Sequence, residues 1–276
     1  LTDCLHAVLA SNYEKLEIIV LDDVSGDDTS ALIKSFASEG VRFVNGKPLP
    51  QGWLGKNHAL QGLLNEASGS YVLFLDVDTR ITPDAIENLV RYSLSQRASM
   101  VSVLPHRNDG WRASVLFSPL RYFWELIFNR PISPASASSA WMIRRKLLLH
   151  EFQGFEQFKN AIQPEALLAD ILAKSKGYRF LISSALFGFG YEKKWRSQLV
   201  TSVRLLFPML HKKTAVAFLA VLDLLVLLSP FAVAVSLLFM PFMVVHGVAL
   251  LLCLTSVCLY GAYTKRVWSR GWVVGA

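Results

Sequence analysis

Along the first two-thirds of the chain, apolar positions switch between short runs and helical spacing, which predicts alternating strands and helices and an α/β fold. Glu17–Leu21 reads as a strand, followed by the polar turn Asp22–Asp28 and a helix over Thr29–Phe36. Val41–Val44 is a short strand, Lys47–Leu54 a loop, Lys56–Ala67 a helix and Tyr71–Leu75 the central strand. Thr82 is the expected N-cap of a helix with Pro83 at its first position, and Ile86, Leu89 and Val90 form its buried face. Met100–Leu104, Ala140–Ile143 and Tyr178–Ile182 are further strands, and a helix over Glu165–Lys176 ends at Gly177. Asn129–Ser139, rich in Pro, Ser and Ala, reads as a mobile loop.

The pattern then changes in kind. From Thr214 to Ala262 the ionisable side chains able to carry charge near neutrality are Asp223 and His246. At 1.5 Å per residue this stretch runs about 73 Å, too long for one ~30 Å crossing. Two spans fit, Thr214–Ser236 and Phe242–Ala262, turning around Pro241. Asp223 inside the first span costs ~3 kcal/mol, and the span's Leu, Val and Phe residues return roughly 4–8 kcal/mol on the same insertion scale, so insertion wins. Before the spans, Trp195, Leu199, Val203, Leu206 and Leu210 share one helical stripe flanked by Lys193, Lys194, Arg196 and Arg204. That segment fits an interfacial helix on the inner leaflet, and equally a helix packed on the domain's own core.

Composition agrees with a mixed molecule. Of 276 residues 53% are hydrophobic and 18% charged, too apolar for an ordinary soluble domain and too charged for an all-membrane protein. Residues 1–190 carry 19 basic and 19 acidic side chains, whereas residues 191–276 carry 9 and 2, so the whole formal +7 lies in the tail. Because this charge brackets apolar spans, anionic lipid headgroups explain it better than nucleic acid. A hairpin puts His211–Lys213 and Lys265–Arg270 on one side, which the positive-inside rule makes cytoplasmic. Cys4, Cys253 and Cys258 have neither metal-ligand nor disulfide spacing and read as small buried hydrophobes.

Candidate chemistry lies at three places. Tyr71–Leu75 runs into Asp76-Val77-Asp78, two carboxylates one residue apart where an open α/β sheet places ligands. Hard oxygen ligands there suit Mg²⁺ or Mn²⁺ bridging to a diphosphate. Val20-Leu21 likewise runs into Asp22 and Asp23 and the turn Val24–Thr29. A carboxylate there can accept from a pyrimidine N–H or a ribose hydroxyl, while Asp27 or Asp28 also fits a plain helix N-cap. Between them lies Gly52-Trp53-Leu54-Gly55-Lys56-Asn57, which lacks P-loop spacing. Lys56 opens a helix there, so its ammonium and the helix dipole can face a phosphate, and a solvated surface lysine is the plainer alternative.

These segments, with Ile81-Thr82-Pro83, resemble the family 2 glycosyltransferases of GT-A fold in order and spacing, the match extending more loosely to about residue 195. Within that family the Gly52–Lys56 segment and the apolar tail are most similar to membrane-attached members that modify lipid-like acceptors, including carotenoid- and hopanoid-associated types. The resemblance implies that Asp22 and Asp23 bind the nucleoside, Asp23 contacting uracil, with Lys56 near the diphosphate. It implies that Asp76 contacts ribose or metal and that Asp78 ligates the divalent metal. Members usually carry an upstream first strand that is not seen before Leu1, so the N-terminus is expected to be incomplete and a sheet edge exposed. They also carry a Glu-Asp pair opening a late helix, whose Asp is the base. The matching residues here are Glu165 and Ala166; Glu165 or Asp170 could serve as base, and Glu165 equally fits a plain first-turn acid favoured by the helix dipole. The processive-synthase motif Gln-x-x-Arg-Trp is present only as Tyr191-Glu192-Lys193-Lys194-Trp195.

The expected architecture is a GT-A domain (Rossmann-like, mostly parallel sheet) over residues 1–190, an interfacial segment over 191–213, a transmembrane hairpin over 214–264 and a basic cytoplasmic tail over 265–276. The expected activity is inverting transfer of a sugar from a nucleotide donor, UDP-linked, to a membrane lipid or polyisoprenoid-like acceptor at the cytoplasmic face. The Asn129–Ser139 loop and the Trp195–Leu210 helix would form the acceptor entrance. Two alternatives remain. One is a degenerate GT-A domain without turnover, suggested by Ala166. The other is a haloacid-dehalogenase-like phosphatase, suggested by Asp76-Val77-Asp78-Thr79 and weakened by the lack of an acidic pair downstream.

Overall fold

The computed structural model describes residues 1–107, 134–192 and 214–267. One compact unit ends at Glu192 and a second contains the C-terminal helices. In the first, α1 (Thr2–Leu9) precedes β1 (Ile18–Asp22), α2 (Thr29–Ser35), β2 (Val41–Asn45), α3 (Gly55–Glu66), β3 (Tyr71–Leu75), β4 (Thr79–Ile81), α4 (Ala85–Ser95), β5 (Met100–Leu104) and β6 (His106–Arg107). Then follow β7 (Ala140–Arg144), α5 (Arg145–His150), α6 (Pro164–Lys174), β8 (Tyr178–Ile182) and β9 (Phe189–Tyr191).

The expected mostly parallel sheet is a mixed one. β3, β7, β5 and β8 form a four-stranded sheet in that order, in which β7 runs antiparallel to both neighbours and β5 pairs with β8 in parallel. The chain leaves the carboxyl end of β5 and re-enters the sheet at that same end, so β7 must run backwards. β1 and β2 pair in parallel as a separate sheet, and β4, β9 and β6 form a third.

Two helices straddle the seam between β1 and β3, one on each face. On one face Leu60 and Leu64 of α3 join Val72, Phe74, Met100, Trp141 and Ile143, with Ile19 of β1 packed against them. Gly62 lets α3 close on β1, because a β-carbon there would stand 2.8 Å from a Leu21 methyl. On the other face α1 contributes Leu5 to a cluster with Ile33, Phe36 and Val41, and turns Ala7 and Val8 toward the cluster under β3 and α4. Period-2 alternation along β1 and β3 supplies both faces. A polar brace crosses the seam too, with Ser68 donating its backbone N–H to Glu17 at 2.9 Å.

The Thr82 cap is corrected. The helix begins at Ala85 with Asp84 as its N-cap, because Thr82 continues the β4 ladder, donating its N–H to the Gly188 carbonyl at 2.8 Å. The mobile-loop expectation is corrected for residues 134–139, residues 129–133 lying outside the described residues. Ser102 and Ala137 exchange hydrogen bonds of 2.9 and 2.8 Å, Tyr178 donates to the Ala135 carbonyl at 2.6 Å, and Ala137 is fully buried. The predicted interfacial helix at Trp195–Leu210 lies outside the described residues.

In the second unit α7 (Thr214–Ser236) and α8 (Val244–Val267) pack together through a seven-residue turn containing Pro241. Among the described residues one segment, Val244–Ala262, is long and apolar enough to cross a bilayer, and little of it is buried. The turn is closed by a buried side chain. His246 accepts the Met243 backbone N–H at Nδ1 (2.9 Å), and its Nε2 lies 3.0 Å from the Ser236 hydroxyl, which donates to the Val233 carbonyl (2.7 Å). With the Ser236 proton committed, Nε2 is the donor and the neutral Nε2–H tautomer results. Of the three cysteines Cys4 is buried as expected, whereas Cys258 is exposed on α8, since a helix in this pair has an outward face of its own.

Candidate active site

Both paired-acid segments sit at carboxyl ends of strands, and each is shaped by its own turn. Asp22 is 4% exposed and turned inward, one carboxylate oxygen accepting the Ser25 N–H at 3.2 Å and the other the Ser30 hydroxyl. Hydrogen bonds, first from the Ser25 side chain and then from Ser30, hold its carboxyl below the usual value. Asp23 is exposed and points the other way, one carboxylate oxygen lying 3.3 Å from where a β-carbon on Gly55 would stand. The structure therefore sets Asp23 beside the first turn of α3, next to exposed Lys56. Val24 holds φ +57°, a left-handed conformation that costs a β-branched residue ~1–2 kcal/mol. Gly46 is needed where β2 meets this turn, as a β-carbon there would lie 2.5 Å from the Asp22 carbonyl oxygen. Asp28 is the N-cap residue of α2, and Asp27 rather than Asp28 accepts a helix-start N–H, from Thr29 at 3.1 Å.

A cavity of about 180 Å³ opens beside Asp23, between the ends of β1 and β2 and α3, with Lys47, His58, Gln61, Asn65 and Glu66 in its lining. It is smaller than the ~300–1,000 Å³ of typical ligand pockets, so it suits one ring rather than a whole nucleotide sugar.

At the end of β3 the backbone of the second acidic segment is clamped on several sides. Thr79 donates its N–H to the Asp76 carbonyl at 2.9 Å, closing a turn, and Asp76 donates its own to the Ser139 carbonyl at 2.9 Å. The Asp78 carbonyl accepts from the Glu192 N–H at 3.0 Å and the Val77 carbonyl from Arg80 at 2.8 Å. Asp76 and Asp78 are half-buried. The first turn of α1 touches both acidic regions: Leu1 and Leu5 pack on the β1 side, and the Cys4 thiol reaches the Asp76 carbonyl at 3.9 Å. Burial raises the Cys4 pKa and keeps it a thiol, which makes it a poor metal ligand.

Among the described residues no three His, Cys, Asp or Glu side chains converge as a metal cage. A two-carboxylate turn still fits Mg²⁺ or Mn²⁺, which commonly take one or two carboxylates and complete their shell with phosphate oxygens and water. Glu165 and Asp170 both lie on α6, where Glu165 is 1% exposed beside Leu168 and Ala169, and Asp170 is half-buried.

Several positioning residues escape sequence reading. Asn57, 1% exposed, donates to the carbonyls of Phe158 and Ala161, both at 2.7 Å, and fixes the start of α3. Ser139 accepts from the acidic turn, and Arg80 is bound to Asp3. Arg80 stands two residues past Asp78, a signal open to reading, whereas partners 60 to 100 residues away leave no local trace.

This strand-end arrangement places three motifs on one α/β scaffold, with acidic turns at the carboxyl ends of β1 and β3. The model of Glycosyl transferase family 2 matches residues 1–152, just over half the chain, and the chain belongs to that family. Among curated proteins it is 42% identical over 84 residues to the poly-beta-1,6-N-acetyl-D-glucosamine synthase of Staphylococcus aureus, and 30% identical over 100 residues to glycosyltransferase GlyA of Streptococcus pneumoniae. These alignments cover 30% and 36% of this chain but only 19% and 14% of those proteins. The solved mannosyltransferase PcManGT of Pyrobaculum calidifontis, in complex with GDP-Man and Mn²⁺, superposes with a TM-score of 0.55 at 18% identity, covering 96% of this chain and 78% of that one. That likeness shows the GT-A fold, and family membership sets the phosphatase alternative aside.

Proposed function

We propose that this chain is a membrane-anchored glycosyltransferase that moves a sugar from a nucleotide donor, UDP-linked, to a hydroxyl or carboxyl of a lipid-like acceptor. The observation that carries the reading is the Asp76–Thr79 turn, a pair of acids on a backbone clamped from several elements at the end of a buried strand. Asp23 would accept an N–H of the base in the neighbouring cavity, and Asp22 would shape the turn that presents it. Lys56 and the first turn of α3 would face the diphosphate. Asp76 and Asp78 would hold a divalent metal, Asp76 also within reach of the ribose, and the metal when bound offsets charge on the departing diphosphate. A base on α6 would take the acceptor proton as the acceptor oxygen displaces the nucleoside diphosphate from the anomeric carbon, with inversion. Solvent reaches Asp170 more readily than Glu165, so Glu165→Gln must be compared with Asp170→Asn; if neither lowers turnover, both fail as base. A curated relative named a glycosyltransferase and another named a poly-beta-1,6-N-acetyl-D-glucosamine synthase support the class of reaction, and the apolar α8 with the basic residues near its end supports a lipid acceptor.

The metal assignment is tested with Asp78→Ala in the full chain. Mn²⁺-dependent turnover of UDP-sugars should fall by about 100-fold, and undiminished turnover rejects it. One second reading, a nucleotide-binding domain without turnover, draws on Ala166 and on the burial of Glu165. UDP binding by the parent protein with no transfer to any fraction of a membrane lipid extract would favour it.

A further inference from the structure

We infer that Arg80 is the positioning residue of the acidic turn, fixing the Asp76–Asp78 separation through the backbone while Asp3 holds its charge away from the metal site. The inference rests on the metal reading of those two acids. One guanidinium nitrogen donates to the Val77 carbonyl at 2.8 Å and to the Thr79 carbonyl at 3.1 Å, and the other contacts an Asp3 oxygen at 3.3 Å. Val77 is the residue between the two acids, and its carbonyl belongs to the peptide that leads into Asp78. Rotation of that peptide would swing the Asp78 carboxylate relative to Asp76, and the planar fork of Arg80 opposes it. The flanking anchors at Asp76 and Asp78 hold the ends of the turn, so Arg80 acts on its middle. Arg80 is 24% exposed at its side chain and Asp3 is 79% exposed, so the guanidinium is enclosed and its counter-ion is at the surface.

Arg80 has two effects of opposite sign, and that makes its role measurable. Its positive charge near the acids disfavours a cation, whereas its grip on the turn favours one. If charge alone mattered, removing it would tighten Mn²⁺ binding; if positioning dominates, removal weakens it. The experiment uses the full chain with Arg80→Gln, Arg80→Lys and Asp3→Asn. Mn²⁺ is titrated by electron paramagnetic resonance with UDP present, UDP is titrated in EDTA, and amide hydrogen exchange over residues 76–79 is followed with neither ligand. Both Arg80 variants should weaken Mn²⁺ by about 10-fold and leave metal-free UDP affinity within roughly twofold, as expected for a group acting behind the ligands. Exchange in the turn should rise by about 10-fold. Asp3→Asn, at an exposed site that tolerates it, should weaken Mn²⁺ by roughly 2–3-fold, and should the Arg80 variants not fold, exchange over residues 76–79 in this variant decides the matter, a rise supporting the inference and unchanged exchange overturning it. Unchanged or tighter Mn²⁺ binding in Arg80→Gln overturns the inference. An equal loss of metal-free UDP affinity also overturns it, since Arg80 would then be a phosphate contact, and so does unchanged exchange. A parent protein that binds no Mn²⁺ would defeat the metal reading, while exchange would still decide whether Arg80 holds the turn.

Discussion

Two adjacent acids at the end of β1 have opposite environments, and that difference governs how each responds to pH. Asp22 is enclosed by hydrogen bonds from Ser25 and Ser30, whereas Asp23 faces outward toward α3. The folded pKa of Asp22 is depressed below the ordinary 3.8. Its contribution to stability is therefore fully present above about pH 4 and is lost as the pH falls through the folded value. Ser30→Ala removes one of the bonds responsible and raises the folded value toward the ordinary one. The variant should be less stable than the parent by about 1–3 kcal/mol near neutrality, and the gap should narrow as both are acidified toward about pH 2. Urea unfolding at a series of pH values measures it, and a gap independent of pH would show that the Ser30 hydroxyl does not act on an ionised carboxylate. Pairing of the acids was legible in the sequence because both residues end an apolar run. The division of labour between them was not, since it depends on Ser30 arriving from the start of α2 eight residues later.

At the scale of elements, periodic patterns predicted what local chemistry controls and missed what remote partners control. β3 and β8 match their sequence-read bounds, because a run of five apolar or aromatic residues in β3, and of four around Arg179 in β8, between turn residues leaves little choice. The helix after Thr82 starts late because Gly188, more than a hundred residues on, claims Thr82 for a ladder. The antiparallel course of β7 and the pinned segment before it are equally invisible locally, being fixed by Ser102, Tyr178 and the acidic turn. The turn between α7 and α8 shows the same limit, since Pro241 marks a break but only the structure shows His246 closing it. His246 stands at the third helical position of α8 and accepts the N–H of the residue before the helix, the reciprocal half of a capping box with imidazole in place of Glu. His246→Leu keeps the apolar volume and leaves the Met243 N–H without its partner. Loss of this bond and of the Ser236 contact should cost about 1–3 kcal/mol in a dry environment. Thermal unfolding of the purified protein in detergent would show it as a lowered Tm, with His246→Gln partly restoring the loss. Equal melting of parent and His246→Leu would mean that the turn stands without the imidazole.

For the molecule as a whole, a hairpin that spans the bilayer and one that lies along it predict different exposure of the turn. The charge distribution favours spanning, with 9 basic against 2 acidic side chains over residues 191–276 and every basic one outside the apolar stretch Thr214–Ala262. Phe239, Leu238 and Met240 in the turn are all more than half exposed, so the turn presents an apolar surface. If both helices cross, the turn reaches the outer face while both basic flanks stay inside. Leu238→Cys and Ser269→Cys, each placed in a full chain with Cys4, Cys253 and Cys258 replaced by Ala, separate the cases. A membrane-impermeant maleimide applied to intact cells should label position 238 and spare position 269, and permeabilisation should expose 269. Labelling of neither position before permeabilisation would place the hairpin in one leaflet, and labelling of 269 alone would reverse the orientation and move the nucleotide site away from a cytoplasmic donor. The spanning result would bear on the proposed donor, because it would leave both basic flanks in the compartment that supplies a cytoplasmic nucleotide sugar.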